Sequence, residues 1–499
     1  MRPAVLLLGL LICGCGNTDG LHERFSAERD LWRSHRESQR LAIKPELFGE
    51  TAQAELATRY EALGAKVSEE APPGSSGPRA QARPIGARAW LSAAGVHGVL
   101  GDSASARRCF QRVQNDYADL TAPAAEAAMG EALIEESAEN WLRAADLFDR
   151  VVRDVSPKLD GRGPETNVVQ LPLRSARLRA RAAGTPGRPA YETAIRYYHE
   201  LLATGPAVPL ALEAHLMLAD AHGDLGEWDA AVRELQTAEG LAAADATLRR
   251  APAELRLATA LAQHRADPQS GAADSTLRAL VAEYPKTATA VQALLVLGNN
   301  AFAAGDVDEA LETYARIRSE YTSPDDTRAE AMLREARILE SKNRWPEARE
   351  LLRSIPREHP LSVAALEAPL EEARHYQELG DDAGMRAALT DAEAGYRSLM
   401  ERYPNAAIIV MAQDKLTQVL LRQERYADAV DQLETVATRL KGRREGAVAL
   451  VRAAQIALQE LADTTRTARI LDAAATWYEG TDIGRQARDE AARLRGVTP

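Results

Sequence analysis

One pattern recurs through most of this 499-residue chain, from about residue 88 to the end. In the stretch LLVLGNNAFAAGDVDEALETYARI, the residues Leu294, Leu297 and Ala301 share one face of a helix, and a Gly-Asp pair then interrupts it. Ala310 begins the apolar face of a second helix. A repeated pair of helices cannot bury its apolar face alone, so successive pairs must stack on one another. This feature restricts the fold to an array of helical hairpins.

An alanine near the start of each second helix marks the copies of this pattern. Neighbouring copies lie 37 to 50 residues apart, and the longest step contains Pro/Gly-rich inserts such as GTPGRP. Alanine suits this position because the two helices of a pair must approach closely, and Gly298 is expected to serve the same purpose on a first helix. The ten alanines are Ala106, Ala144, Ala194, Ala231, Ala273, Ala310, Ala348, Ala392, Ala429 and Ala468.

The pattern resembles the tetratricopeptide repeat, whose consensus is W-x2-L-G-x2-Y, then A-x3-F, then P. The resemblance implies an all-α fold: a right-handed α-solenoid superhelix of about nine or ten helical hairpins over residues 88–499, closed by a C-terminal capping helix. The clearest copies carry Trp90, Ala94, Gly101, Ala106 and Phe110, then His215, Leu218, Ala219, Gly226, Ala231 and Leu235, then Met332, Ala336, Asn343, Ala348 and Leu352.

The first twenty residues, MRPAVLLLGLLICGCGNTDG, combine a basic start with a short apolar run. That run, from Pro3 to Gly14, is shorter than the about 20 residues of a membrane-spanning helix, so it indicates a secretory signal. Its end, ICGC, resembles the box at which bacterial lipoproteins are cleaved and acylated. The resemblance implies a lipoprotein signal peptide over residues 1–14 and a lipid on Cys15. A plain signal peptide or a short membrane anchor is the alternative.

The cellular location is inferred from the same motif. A lipid on Cys15 would anchor the protein to a membrane of the bacterial cell envelope. The next residue is Gly16, whereas an aspartate there retains lipoproteins in the inner membrane of enterobacteria. The resemblance therefore implies an outer-membrane protein that faces the periplasm.

Two segments separate the lipid anchor from the repeats. Residues 15–67 contain two amphipathic stretches, LHERFSAERDLWRSHRESQRLA and PELFGETAQAELATRYEALGAK, which predict an N-terminal helical segment. Residues 68–87 contain APPGSSGPRAQARP, whose proline, glycine and serine content predicts a flexible linker or long loop.

The charge balance and the cysteine count exclude several classes of protein. Lys+Arg number 61 and Asp+Glu 73, which gives a formal net charge of −12. An acidic chain has no broad affinity for nucleic acid or for anionic lipid headgroups. Only Cys109 follows Cys15, so no disulfide is possible within the mature chain, and Cys109 is expected to be a small buried residue.

The chain carries no recognisable catalytic, metal-binding or cofactor-binding motif. H-E-x-x-H, C-x-x-C and the phosphate-binding G-x-x-x-x-G-K-[ST] are all missing, so we predict no enzyme, no metal and no cofactor. His215 and His222 lie seven residues apart on one helical face, but they occupy packing positions of the repeat. The carboxylate pairs Glu135-Glu136 and Glu371-Glu372 are interpreted as solvated helix faces.

These observations favour a non-enzymatic scaffold that binds protein or peptide partners in envelope assembly. The alternative is a polysaccharide-export or glycan-processing factor, but such a groove would need aromatic residues that here sit at packing positions. In the repeat, the ninth position of each first helix is expected to line the concave groove. A mixed polar row there is either a hydrogen-bonding track for a peptide or a simple solvated face. That row consists of Asp220, Asn299, Arg337 and Gln418.

Overall fold

The structure, a computed structural model, describes residues 21–43, 50–155, 166–184, 187–248, 251–404, 407–479 and 481–496. These ranges are almost entirely helical and contain no strand. Two helices, α1 (Leu21–Ile43) and α2 (Glu50–Glu70), precede the repeats. Residues 1–14 and Cys15 lie outside the described residues, so the lipid anchor stays a prediction.

Ten helical hairpins follow within the described residues, each with a first helix, a turn and a second helix. The chain divides into two compact units, with the boundary between Ala273 and Asp274. The first two hairpins are α3 (Gly77–Val99) with α4 (Ser103–Asp116) and α5 (Thr121–Ser137) with α6 (Trp141–Val155), and a single helical turn, α7 (Thr166–Val169), follows them. The next four are α8 (Leu171–Ala183) with α9 (Arg188–Ala203), α10 (Val208–Asp224) with α11 (Trp228–Ala244), α12 (Ala251–Ala266) with α13 (Ala272–Glu283), and α14 (Ala288–Ala304) with α15 (Val307–Glu320). The last four are α16 (Asp325–Ser341) with α17 (Trp345–Glu358), α18 (Val363–Glu378) with α19 (Asp382–Arg402), α20 (Ile409–Arg422) with α21 (Tyr426–Arg439), and α22 (Arg444–Gln459) with α23 (Thr464–Trp477), and the final helix is α24 (Asp482–Leu494).

The predicted register of the repeat is visible in the burial of its alanines. All ten second-helix alanines are at most 7% exposed. On the first helix of the α14–α15 hairpin, Gly298 lies directly against the ring of Tyr314, and a Cβ atom added to it would stand 2.6 Å from Tyr314 Cε1. Small residues are therefore required where the helices of a hairpin touch. The prediction of an all-α helical-repeat solenoid is confirmed.

The turn inside the hairpins explains the recurring Gly-Asp pairs. One turn residue takes the left-handed backbone conformation, as Gly305 does after α14 with a φ of 91°. The next residue can cap the second helix: the Asp102 side chain accepts a hydrogen bond from the backbone N–H of Ser105. The turn residue adopts the left-handed conformation even in the hairpins where it is not a glycine. These turn residues are Gly101, Glu139, Gly184, Gly226, Gly271, Gly305, Asn343, Gly380, Glu424 and Ala462.

The structure corrects the extent of the predicted linker at residues 68–87. Helix α2 continues to Glu70 and α3 begins at Gly77, so only residues 71–76 connect them without helical structure. Arg83, which is 3% exposed, donates hydrogen bonds to the carbonyl oxygens of Ala71 and Asp116 at 3.0 Å each. The Pro/Gly/Ser signal described a short turn, and the alanine- and arginine-rich residues after it extend the first repeat helix.

Candidate protein-binding surface

Polar side chains join the first helices of neighbouring hairpins in the second unit. Helix α16 contacts α14 and α18, and α18 contacts α20. Salt bridges cross between these helices: Arg337 pairs with Glu371, and Lys415 pairs with Glu367 at 3.7 Å. We call the solvent-facing polar side of α16, α18, α20 and α22 the first-helix surface. A further salt bridge of this row joins Arg452 on α22 to Asp414 on α20 at 2.8 Å.

An open depression of about 580 Å³ lies on the first-helix surface where α16 and α18 end. We call it the α16–α18 depression. Ion-paired side chains form its walls, and Leu379, which is 68% exposed, stands at its edge. Its lining consists of Arg337, Glu340, Ser341, Asn343, Glu371, Arg374, His375, Glu378 and Leu379.

A continuous network of hydrogen-bonded charges holds the depression in shape. The guanidinium of Arg374 donates to Glu340 at 2.6 Å and to Glu371 at 2.8 Å. Arg337 donates to the other oxygen of Glu371 at 2.5 and 3.0 Å. The Nδ1 atom of His375 lies 2.7 Å from Glu340 Oε1, and charge-assisted contacts of this kind fix side-chain geometry more strongly than neutral ones. The surface is therefore preorganised.

Two charged groups of the network have shifted pKa values. Burial would raise the pKa of Glu371, but hydrogen bonds from Arg374 and Arg337 outweigh it and lower that pKa. Burial would likewise lower the pKa of Arg374, but its bonds to Glu371 and Glu378 raise it. Both groups are thus charged at neutral pH. A partner with complementary charges meets fixed carboxylates and guanidinium groups here.

The structure places the predicted groove residues in different surroundings. Arg337 lines the α16–α18 depression, whereas Asn299 and Gln418 do not, and Asp220 belongs to the first unit. All four have hydrogen-bond partners within the chain, and their role in binding a partner stays a prediction. Their bonds are Asp220 with Arg177 at 3.4 Å, Asn299 with the hydroxyl of Tyr314 at 2.7 Å, Arg337 with Glu371, and Gln418 with Asp414 at 2.7 Å.

The interpretation of Glu135 and Glu372 as solvated residues was wrong. Glu135 is 2% exposed and Glu372 is 7% exposed. Each accepts hydrogen bonds from arginines of an adjacent second helix: Arg107 at 2.8 Å for Glu135, and Arg349 at 2.7 Å for Glu372. Buried charges need such partners, so these carboxylates join neighbouring helices rather than perform acid–base chemistry.

The Glu372 ion pair makes the second unit sensitive to acid. Burial would raise the pKa of Glu372, but hydrogen bonds from Arg353 and Arg349 lower it below its ordinary 4.5. A carboxyl group whose pKa is lower in the folded than in the unfolded state stabilises the fold fully at pH values above its unfolded-state pKa. That contribution is lost as the pH falls through the folded-state pKa. Glu372→Gln should lower the free energy of unfolding by about 1–2 kcal/mol at pH 7. The loss is limited because the arginines that pair with Glu372 stay hydrated.

The measurement is urea denaturation of the wild type and of Glu372→Gln at pH values above and below 4.5. The free energy of unfolding of the wild type should fall more steeply below about pH 4.5 than that of Glu372→Gln. Glu378→Gln on the same helix is the control, because the Glu378 side chain is 60% exposed. Parallel pH curves for the wild type and Glu372→Gln would contradict the prediction.

Three side chains that could hold a metal ion meet in the first unit. Ligand atoms of Glu61, His97 and Cys109 lie within 4.8 Å of one another, on α2, α3 and α4 respectively. No sequence motif joins them, so this contact could not be inferred from the sequence alone. His97 Nε2 lies 2.7 Å from Glu61 Oε1, and the Cys109 thiol donates to the same oxygen at 3.5 Å. These hydrogen bonds satisfy the three groups without an ion.

The same surroundings determine the chemistry of Cys109. Its side chain is 1% exposed, as the sequence predicted for a small buried residue. Burial, followed by the negative charge of Glu61, raises the pKa of the thiol to about 12. A neutral, buried thiol is not a nucleophile. His215 and His222, also considered as metal ligands, each lie beside a separate carboxylate, Glu234 at 2.7 Å and Glu227 at 2.8 Å.

Comparison with protein-family models identifies the repeat in part of this chain. Two family models described as tetratricopeptide repeat match this chain, one over residues 91–158 and 178–240 and the other over residues 301–370. The curated proteins include no match to its sequence.

Solved structures give matches of low overall similarity. Yeast Tom70 has a TM-score of 0.38 and 15% identity, with 95% of this chain and 94% of that chain covered. A human IFIT1 dimer with PPP-AAAA has a TM-score of 0.33 and 13% identity, with 95% of each chain covered. A tetratricopeptide repeat protein from Parabacteroides merdae has a TM-score of 0.29 and 17% identity, over 57% of this chain and 98% of that one. From the family models, residues 91–158, 178–240 and 301–370 of this chain are tetratricopeptide repeats.

Proposed function

We propose that this protein is a non-enzymatic scaffold of the bacterial cell envelope that binds a protein partner through its first-helix surface. Tetratricopeptide repeats are generally scaffolds for protein–protein interaction, and the repeats of this chain support that role. The observation that carries the proposal is the α16–α18 depression. It combines fixed charges of both signs with an exposed leucine, and this combination suits a protein partner better than a small molecule.

The envelope location is part of the proposal and rests on the N-terminal motif. Cys15 in ICGC is the proposed acylation site, and Gly16 after it favours the outer membrane with the protein facing the periplasm. In the part of the chain that the structure describes, we find no helix with the length and apolar character to span a bilayer. A role in envelope assembly would place a membrane-held scaffold beside the proteins that it binds.

Site-specific photocrosslinking in cells tests the binding surface. A photoreactive phenylalanine analogue at Leu379 should capture a discrete partner, because this side chain is 68% exposed at the edge of the depression. The same analogue at Leu361 is the matched control, because Leu361 is 46% exposed just before α18 begins, at the other end of that helix. Equal capture at both positions, or capture at Leu361 alone, would show that another surface binds the partner.

A substitution then measures the contribution of the charged wall. Arg337→Ala should weaken binding of the captured partner about tenfold, because a hydrogen bond to a charged group is worth about 1.5–3 kcal/mol. The Arg337 side chain is 41% exposed, and Glu371 would keep its bond from Arg374, so the fold should tolerate the change. Asn299→Ala is unsuitable, since it would leave the buried Tyr314 hydroxyl without its acceptor. Unchanged affinity of Arg337→Ala would exclude this wall from the interface.

A further inference from the structure

Helix α1 exposes a row of large apolar side chains. Phe25 is 65% exposed, Trp32 is 59% exposed and Leu21 is 37% exposed. At 3.6 residues per turn these three positions lie within about 40° of one another around the helix axis. The buried positions Ala27 and Leu41 lie on the opposite side, where α1 packs on the helices that follow. We call the row of Leu21, Phe25 and Trp32 the outer face of α1.

Exposed arginines run along one edge of the outer face. Arg29, Arg33, Arg36 and Arg40 are all exposed, and the guanidinium carbon of Arg36 lies 5.3 Å from the centre of the Trp32 ring. Within the described residues, Arg36 and Arg40 make no salt bridge, and Arg33 has only a 3.8 Å contact with Asp30. The overall charge of −12 therefore does not describe this helix, which carries five arginines and four carboxylates.

We propose that the outer face of α1 lies on a bilayer surface that contains anionic lipid, within its headgroup layer. Phenylalanine and tryptophan on one side of a helix, with arginines beside them, are typical of helices that lie in the membrane interface. Tryptophan prefers the headgroup level, and arginine can extend its guanidinium to lipid phosphates while its stem stays among apolar groups. The ligand is thus a lipid surface with phosphate groups.

The short length of chain between Cys15 and α1 supports a lipid surface as the ligand of the outer face. Six residues lead from Cys15 to Leu21, and they span at most about 20 Å when fully extended. Acyl chains on Cys15 would therefore keep the start of α1 near the headgroups, and the inference rests on the proposed function in this respect. The outer face adds a second, non-covalent contact, and two membrane signals hold a protein more firmly than one.

Vesicle sedimentation tests the outer face without the lipid anchor. The protein used is the unacylated chain that begins at Gly16, which keeps every residue that the structure describes. It should bind vesicles of phosphatidylethanolamine and phosphatidylglycerol. Phe25→Ser with Trp32→Ser should lower the partition coefficient at least about tenfold, since interfacial binding scales with the apolar area buried. A control variant, Phe302→Ser with Leu142→Ser, removes side chains that are 51% and 55% exposed elsewhere and should bind as the wild type does.

Charge and self-association are tested with the same chain. Arg33→Gln and Arg40→Gln should each weaken binding about fivefold on the anionic vesicles, because a basic residue near such a surface is worth about 1 kcal/mol. The inference is overturned if the wild type does not bind these vesicles. It is also overturned if the wild type is a dimer that Phe25→Ser with Trp32→Ser converts to a monomer, because the outer face would then be a contact between two copies of the chain. Acylation of the full chain is measured separately by fatty-acid labelling. Labelling without vesicle binding would refute the outer face alone, and vesicle binding without labelling would refute the anchor alone.

Discussion

Gly298→Leu is expected to destabilise the α14–α15 hairpin by about 1–3 kcal/mol, the usual cost of overpacking a well-packed contact. The Tyr314 ring would lie 2.6 Å from an added Cβ atom, and the rest of a leucine side chain cannot fit without moving the helices apart. Tyr314 is 1% exposed, and its hydroxyl donates to Asn299 on the same helix as Gly298. The hydrogen bond and the ring packing would therefore be lost together.

Hydrogen exchange is the suitable measurement because the damage should be local. Each repeat contacts mainly its neighbours, so protection should fall most around residues 290–350 and recover along the array. Gly240→Leu is the matched control: Gly240 is a helical glycine on α11 with no atom within 4 Å of an added Cβ. That change should stabilise its helix by roughly 0.5–1 kcal/mol, since glycine is a poor helix former. Unchanged protection near Gly298 would show that the hairpin contact is not tightly packed.

The features that the sequence predicted correctly depend on contacts between near neighbours. The second-helix alanines and the breaks between the two helices are each determined within one hairpin, where helix period and turn chemistry leave few choices. Ala310 and Gly305 are examples: the first is fully buried and the second ends α14. Arg337 lines the α16–α18 depression, and its role in binding a partner stays a prediction.

The features that the sequence did not predict are pairings of long polar side chains between repeats. Arg337 pairs with Glu371, 34 residues away, while Glu372 beside it is buried against Arg349. Adjacent glutamates on a helix point about 100° apart, so Glu371 can stay partly accessible while Glu372 is buried. A single sequence shows their order but not the neighbouring helix that each one meets. For this reason the pair was interpreted as solvated.

Composition misled at the N-terminus in a similar way. Proline and glycine within residues 68–87 suggested a flexible linker, but Gly77 and Pro78 only begin α3, and proline is tolerated in the first turn of a helix. Likewise, the net charge of −12 is a sum over the whole chain, whereas Arg29, Arg33, Arg36 and Arg40 lie along one side of a single helix. Averages over a long chain do not describe such local surfaces.

The largest expected effect is the complete loss of the proposed acylation in Cys15→Ala. The acyl group is transferred to a cysteine thiol, and ICGC offers one suitable acceptor, so this variant should take up no labelled fatty acid and should keep its signal residues 1–14. A full set of acyl chains would otherwise hold the protein firmly, at about 0.8 kcal/mol for each buried methylene. The measurement is metabolic labelling followed by mass determination of the purified chain.

Cys13→Ala separates the two cysteines and provides the control. Cys13 follows Ile12, which is too bulky to precede a lipidated cysteine, and the lipoprotein box prefers a small residue where Cys13 stands. Cys13→Ala should therefore be labelled at least as well as the wild type and should fractionate with the outer membrane. Label retained by Cys15→Ala, or lost from Cys13→Ala, would mean that Cys13 is the acceptor or that the segment is not a lipoprotein signal. In the second case the scaffold would need another means of reaching the envelope, and the exposed row of Leu21, Phe25 and Trp32 would be its remaining contact with a membrane.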